Sequence, residues 1–247
     1  DLGLVLGRQS ALDDNWRVGI GAGYEVTNMR GLTLNGDGHR LHLGGTLKYT
    51  QGPWLAALAL SGAYGWEDVS RPIDLATGPL KAVSERHMAS AVARLRLARL
   101  FSLGPLDVTT MLDLDATYLR SFGFSERNAG AWDMTAKSSN TVALGIHPSV
   151  RFGYDFNHSD GIVVRPFIEA GLRINATQGR STISFRESTI LTDGIAIDHK
   201  MDRLVGTFGA GISIFSKGDI ETKLVYSGAA SKGSISHAGL LKVGLKF

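Results

Sequence analysis

His237-Ala238-Gly239-Leu240-Leu241-Lys242-Val243-Gly244-Leu245-Lys246-Phe247, the last stretch of the chain, alternates with a period of two residues. Leu241, Val243, Leu245 and Phe247 share one phase, and Lys242, Gly244 and Lys246 share the other. This is the repeat of a β-strand with one apolar and one polar face. In a soluble protein such a strand leaves an aggregation-prone edge unless something pairs with it. Closing a barrel removes the edge, so the stretch points to an outer-membrane β-barrel.

The bulk numbers agree with that direction. The 247 residues, 43% hydrophobic and 20% charged, suffice for one large all-β unit or two small domains. Thirty-one Gly against six Pro favours curved β-structure, because Gly lets a strand bend and keeps a lumen open. The absence of Cys fits a reducing cytoplasm and an exported barrel equally. No run of about eighteen apolar residues occurs, which excludes transmembrane helices on length and leaves strands as the only means of spanning. Asp1 is not an initiator Met and no basic-then-apolar leader precedes it, so any export signal is expected to have been removed or to belong to a part of the protein upstream. A net charge of +3 and a pI near 9.2 do not imply nucleic acid, because Lys and Arg are spread singly without a cluster or stacking platform.

Period two recurs in about eleven segments of roughly ten residues, the length a tilted strand needs to cross hydrocarbon. In residues 16–26, Trp16, Val18, Ile20, Ala22, Tyr24 and Val26 oppose Arg17, three glycines and Glu25. Residues 40–50, 54–66, 89–100, 106–120, 142–156, 162–175, 203–215 and 220–227 repeat the pattern with different letters, and 2–8 opens the series. A soluble sandwich would also alternate. The ends of the segments separate the two readings. Trp16, Tyr49, Trp54, Tyr154, Phe156 and Phe247 fall near one end, and Tyr24, Tyr64, Trp66, Tyr118 and Tyr226 near the other. Two aromatic belts are expected of a barrel's membrane interfaces, whereas a sandwich buries its aromatics mid-strand. The basic residue found in an apolar phase, Arg99, sits beside an expected turn at 101–105, where a charge costs little.

Connections alternate in length: short at 51–53, 101–105, 157–161 and 216–218, long at 27–39, 67–87, 123–140 and 176–202. Short periplasmic turns and long outside loops are the barrel habit. Both the first segment and the last then run inward, an odd count, so one outward strand is expected upstream to complete twelve. Residues 1–247 read as one barrel domain.

Chemical motifs are weak throughout. Gly19-Ile20-Gly21-Ala22-Gly23 lies inside an alternating strand with no helix after it, so lumen-facing glycines explain it better than a dinucleotide fingerprint. Residues 228–234 lack the Gly-Lys-Ser/Thr order of a phosphate loop and read as an outside turn. The seven His show no metal spacing, and no G-x-S-x-G elbow occurs, so neither a metal, a cofactor nor a catalytic triad is expected. Residues 89–100 could form a basic amphipathic helix, but the barrel phase places Arg94 and Arg96 inward, opposite Asp113 and Asp115 of the next strand. Water-screened pairs there should each contribute roughly 0–1 kcal/mol.

Leu2-Gly3-Leu4-Val5-Leu6-Gly7-Arg8, the turn at Asp13-Asp14 and Trp16-Arg17-Val18-Gly19-Ile20-Gly21-Ala22-Gly23-Tyr24 resemble the second and third strands of the autotransporter translocator domain, and the Phe ending is similar too. The resemblance covers almost the whole chain in strand spacing. It implies a twelve-stranded antiparallel transmembrane β-barrel, all-β, that helps an N-terminal passenger reach the cell surface with the barrel-assembly machinery. It also implies a lumen helix ahead of the first strand, and monomers embedded in outer-membrane lipid. On the resemblance, Val243, Leu245 and Phe247 form the assembly signal. Arg17, Lys48, Arg94, Arg96, Asp113, Asp115, Arg151, Arg165, Glu169, Arg173, Glu221, Lys223, Lys242 and Lys246 line the pore. The alternative is a free-standing channel or surface receptor without a passenger, and a small outer-membrane enzyme stands third.

Overall fold

The computed structural model describes residues 2–31, 33–76, 78–157, 162–185, 195–198, 202–215 and 220–245. In chain order the strands are β1 (Leu2–Ala11), β2 (Trp16–Arg30), β3 (Asn35–Gln51), β4 (Trp54–Leu75), β5 (Gly78–Leu103), β6 (Leu106–Ser121), β7 (Phe124–Ser125), β8 (Met134–Ala136), β9 (Ser139–Tyr154), β10 (Phe156–Asn157), β11 (Val163–Phe185), β12 (Ile195–Asp198), β13 (Leu204–Phe215), β14 (Ile220–Ala230) and β15 (Ile235–Leu245). Eleven of them form a wall in the order β1-β2-β3-β4-β5-β6-β9-β11-β13-β14-β15, each antiparallel to the next. Among the described residues no ladder joins β1 to β15.

Turn chemistry sets the register on one side of the wall. Gly52-Pro53 joins β3 to β4 and Gly104-Pro105 joins β5 to β6, with φ of 54° at Gly52 and 67° at Gly104. A two-residue hairpin with positive φ first and proline second is a type II′ turn, whose twist matches that of the strands it joins. In the β1–β2 turn, Asp13 Oδ1 accepts the backbone N–H groups of Asn15 (2.8 Å) and Trp16 (2.7 Å). The expected turns at 157–161 and 216–218 lie largely outside the described residues.

The other side differs from the sequence reading. The expected loop 67–87 is a hairpin extension in which Glu67 faces Arg86 and Asp68 faces Glu85. Residues 27–39 likewise continue β2 and β3, with Asn28 opposite Asp37. Residues 123–140 hold β7, a 3₁₀ turn (Gly130–Trp132) and β8, while β11 and β12 occupy much of 176–202. Beyond the hydrocarbon, outward positions no longer need to be apolar, so hydropathic alternation ends while the backbone ladder goes on.

Burial is inverted relative to a soluble sheet. Ile20 and Ile235 are each 71% exposed and Leu43 69%, whereas among the described residues the largest fully buried side chains are Glu126 and Asp113. The outer face is therefore apolar and the inner face polar, as a lipid-embedded barrel requires. Trp16 packs on Tyr49 at 4.8 Å and Tyr154 on Phe156 at 4.6 Å at one end. Tyr24, Tyr64 and Tyr226 each bond a histidine at the other, at 2.6, 3.0 and 2.7 Å. Arg99 lies over the rings of Trp54 (4.9 Å) and Phe101 (4.7 Å) at the first belt. Arg8 and Arg120, which the sequence reading left out, join it on the outer face near strand ends, as their register with Ile20 and Ala89 shows.

This polarity is testable. Leu58→Arg, on the outer face between the belts, should lower the unfolding free energy of the vesicle-inserted domain by about 2–4 kcal/mol. Ser61→Arg, exposed on the inner face, should change it by less than about 1 kcal/mol. Denaturant titration monitored by Trp fluorescence reads both.

Candidate functional site

Short polar contacts that skip a strand mark the concave side of the wall. His147 of β9 reaches Thr207 Oγ1 of β13 at 2.8 Å, passing over β11. It passes at Gly171, where a Cβ would lie 2.6 Å from His147 Nε2 and 2.8 Å from Thr207 Oγ1. Arg40 of β3 approaches Met88 Sδ of β5 at 3.7 Å, over β4.

On this face the ladder register pairs opposite charges. Arg94 faces Asp115 and Arg96 faces Asp113. Each guanidinium donates two hydrogen bonds to its carboxylate, at 2.6 and 2.9 Å for Arg94 and 2.7 and 2.7 Å for Arg96. Asp113 is fully buried, and Arg94 Nε (3.9 Å) and His147 Nδ1 (3.8 Å) also surround it. The expectation of loosely screened pairs is thus corrected: water reaches the arginines but not this carboxylate, and charge-assisted bidentate bonds are the strong kind. Arg151 and Glu169, also in register, meet at 2.5 Å. Arg165 is paired with Asp155, and Lys242 lies 3.9 Å from Glu221.

The remaining sequence-selected residues divide. Arg17 stands opposite Lys48, like charge on like, and among the described residues neither makes an ion pair. Lys223 lies over the Phe167 ring at 5.2 Å, and Arg173 shares the inner face of β11 beside Leu204's neighbour Val205. Val243 is exposed on the outer face, Leu245 pairs by backbone with Ile220, and Lys246 and Phe247 lie outside the described residues.

Two clusters escaped the sequence reading. Glu25 Oε2 meets His42 Nε2 at 3.0 Å and Arg40 at 3.4 Å, and Glu67 lies 3.8 Å from Arg40. Their polar phase was legible, but their pairing needed the register. The second cluster lies on the β4–β5 extension. Glu126, 1% exposed, accepts two bonds from Arg71 (3.2 and 2.6 Å) and the N–H of Met134 (3.0 Å). Arg71 also donates to the carbonyl of Trp132 at 2.8 Å. The excursion after β6 is thereby pinned to the inner face of the β4–β5 extension, while β8 pairs with β11. No spacing motif links Arg71 to Glu126. At the β14–β15 turn, the Ser231 hydroxyl and the Gly233 N–H hold the exposed Asp202 carboxyl below its ordinary pKa. Among the described residues no group of three His, Asp or Glu side chains is placed to hold a metal ion.

The burial contrast makes the pairs distinguishable. A double-mutant cycle on Arg96→Leu and Asp113→Leu should give a coupling of about 1.5–3 kcal/mol. The same cycle on Arg180 and Asp198, both more than half exposed, should give under about 1 kcal/mol. Glu126→Gln should release the docked excursion and speed limited proteolysis within 127–133 at least roughly tenfold, leaving the membrane-protected core uncut.

The model of the autotransporter β-domain family matches residues 2–227. No curated protein matches the sequence. Among solved structures, the chain is similar to the translocator domain of the autotransporter NalP from Neisseria meningitidis, with a TM-score of 0.74 and 16% identity over 99% of this chain and 80% of that one. The β-domain of the Bordetella autotransporter BrkA gives a TM-score of 0.68 and 17% identity, covering 98% and 88%. LpxR from Salmonella typhimurium gives 0.51 and 12%, covering 99% and 88%. These likenesses show a shared barrel fold. With an apolar exterior, a polar interior and a family model spanning most of its length, the chain belongs to the autotransporter β-domain family, the outer-membrane translocator barrels.

Proposed function

We propose that residues 1–247 act as a single translocator unit that moves its own N-terminal passenger outward and then anchors it. The observation that carries this reading is the polar inner face inside an apolar wall, combined with a family whose barrels export passengers. Eleven antiparallel strands leave β1 and β15 running in the same direction, so one further antiparallel strand between them completes a twelve-stranded wall. Arg17, Lys48, Arg94, Arg96, Asp113, Asp115, Arg151, Arg165, Glu169, Arg173, Glu221, Lys223, Lys242 and Lys246 line the pore. The unmatched Arg17 and Lys48 suit an acidic group on a segment threaded through the lumen, the helix that links passenger to barrel. Val243, Leu245 and Phe247 present the terminal strand to the barrel-assembly machinery, and the domain works as a monomer. It acts by wall and lumen, with no bond chemistry of its own.

The test uses the full-length precursor. Its passenger should be digested by protease added to intact cells, and deletion of residues 235–247 should abolish that exposure. A barrel that inserts, shows heat-modifiable migration and yet leaves its N-terminal region in the periplasm or absent would sink the secretion reading in favour of a free-standing channel. In planar bilayers, Arg17→Glu with Lys48→Glu should shift the open pore toward cation selectivity, read as a changed reversal potential under a salt gradient.

A further inference from the structure

Arg120 stands on the apolar face of β6, level with Ala89 of β5 and Asn140 of β9, with its guanidinium 5.3 Å from the Phe122 ring. Among the described residues it makes no ion pair. A cation on the outer face needs an anion from outside the chain.

Directly below it the wall is dented. A trough of about 630 Å³ crosses β3 to β9, floored by Gly62, Ala91, Ala93 and Ala116. The register explains it: Gly62, Ala91 and Tyr118 form one outward row, and Leu60, Ala93 and Ala116 the next. A Cβ on Gly62 would meet nothing nearer than Ser90 O at 3.6 Å, so the floor is open space and not packed wall. One row further down, Leu58, Leu95 and Leu114 restore the bulk. The trough is therefore confined to the half of the wall nearest the extended hairpins, the half that faces the outer leaflet.

Its rim is polar. Tyr118 donates to Asn140 Oδ1 at 2.8 Å, which leaves the Asn140 amide N–H groups for another acceptor. Tyr64 Oη lies 3.0 Å from His87 Nδ1. Beyond it on this face Asp68 and Glu85 stand opposite each other, and Glu85 lies 3.2 Å from His87 Nε2. An apolar slot with an unpaired guanidinium one outward row beyond its Tyr118 rim fits an amphiphile that carries acyl chains and a phosphate.

We propose that this trough holds one molecule of lipid A, the phosphorylated glycolipid of the outer leaflet, with an acyl chain over Gly62 and Ala93 and a phosphate on Arg120. The proposal rests on the barrel's orientation with its extended hairpins outside. The full-length protein, extracted from outer membranes in mild detergent, is analysed by native mass spectrometry for bound lipid A. Arg120→Gln should retain about fivefold less, the factor expected of one basic side chain at an anionic surface. Gly62→Leu, which fills the slot, should lower retention by a similar factor, and Arg99→Gln, at the opposite belt, should not change it. Equal retention in Arg120→Gln or in Gly62→Leu overturns the proposal, as does equal loss in Arg99→Gln. Displacement by phosphatidylglycerol at matched concentration would make the site a general anionic-lipid contact and also overturn it. Passenger exposure on intact cells is measured in the same variants; its persistence separates failure here from failure of the translocator reading.

Discussion

Every backbone N–H and C=O inside hydrocarbon must find a partner, because each orphan there costs several kcal/mol. That one demand organises this molecule. It joins each wall strand to the next in an antiparallel ladder, interrupted between β9 and β11 at His147-Pro148, and tolerates turns only at the two ends. It also singles out β1 and β15, which run in the same direction and so cannot complete each other as antiparallel neighbours. The proposed additional strand answers a hydrogen-bonding deficit before it answers any family precedent.

With the backbone satisfied and the exterior surrendered to lipid, the interior is free to be ionic. Side chains that a soluble sheet would keep in water, such as Asp113 and Glu126, are the largest fully buried ones among the described residues. Each is compensated by an arginine whose fork geometry matches a carboxylate. Removing one partner exposes the other to a poorly solvated wall, so these residues constrain each other more strongly than surface pairs do. The Arg17 and Lys48 pairing departs from that logic, setting like charge on like.

The strands within the membrane could be read directly, since lipid imposes a strict alternation on residues such as Leu41, Leu43 and Leu47. Arg94 and Arg96 could be matched with Asp113 and Asp115 because a tight hairpin fixes their offset. Outside the membrane the rule weakens. Asp68 and Glu85 sit on the outer face of a perfectly regular ladder, and their charge made it look like a loop. Arg120 ends a row that is otherwise apolar, and the trough below it is invisible to strand-by-strand reading, being a property of five adjacent strands and not of one. Arg71 and Glu126 meet through tertiary folding of an excursion whose path no local periodicity describes.

The meander has a further consequence for how such walls change over time. Since β3 and β4 ladder only with each other and with β2 and β5, their hairpin, turned on Gly52-Pro53, is a removable unit. Duplicating or deleting one would alter the circumference in steps of two strands while leaving every other ladder intact, and diameter grows roughly linearly with strand number. The caliber of the conduit is thus a countable, heritable quantity, adjustable by gene rearrangement without the redesign of any surviving contact between neighbours.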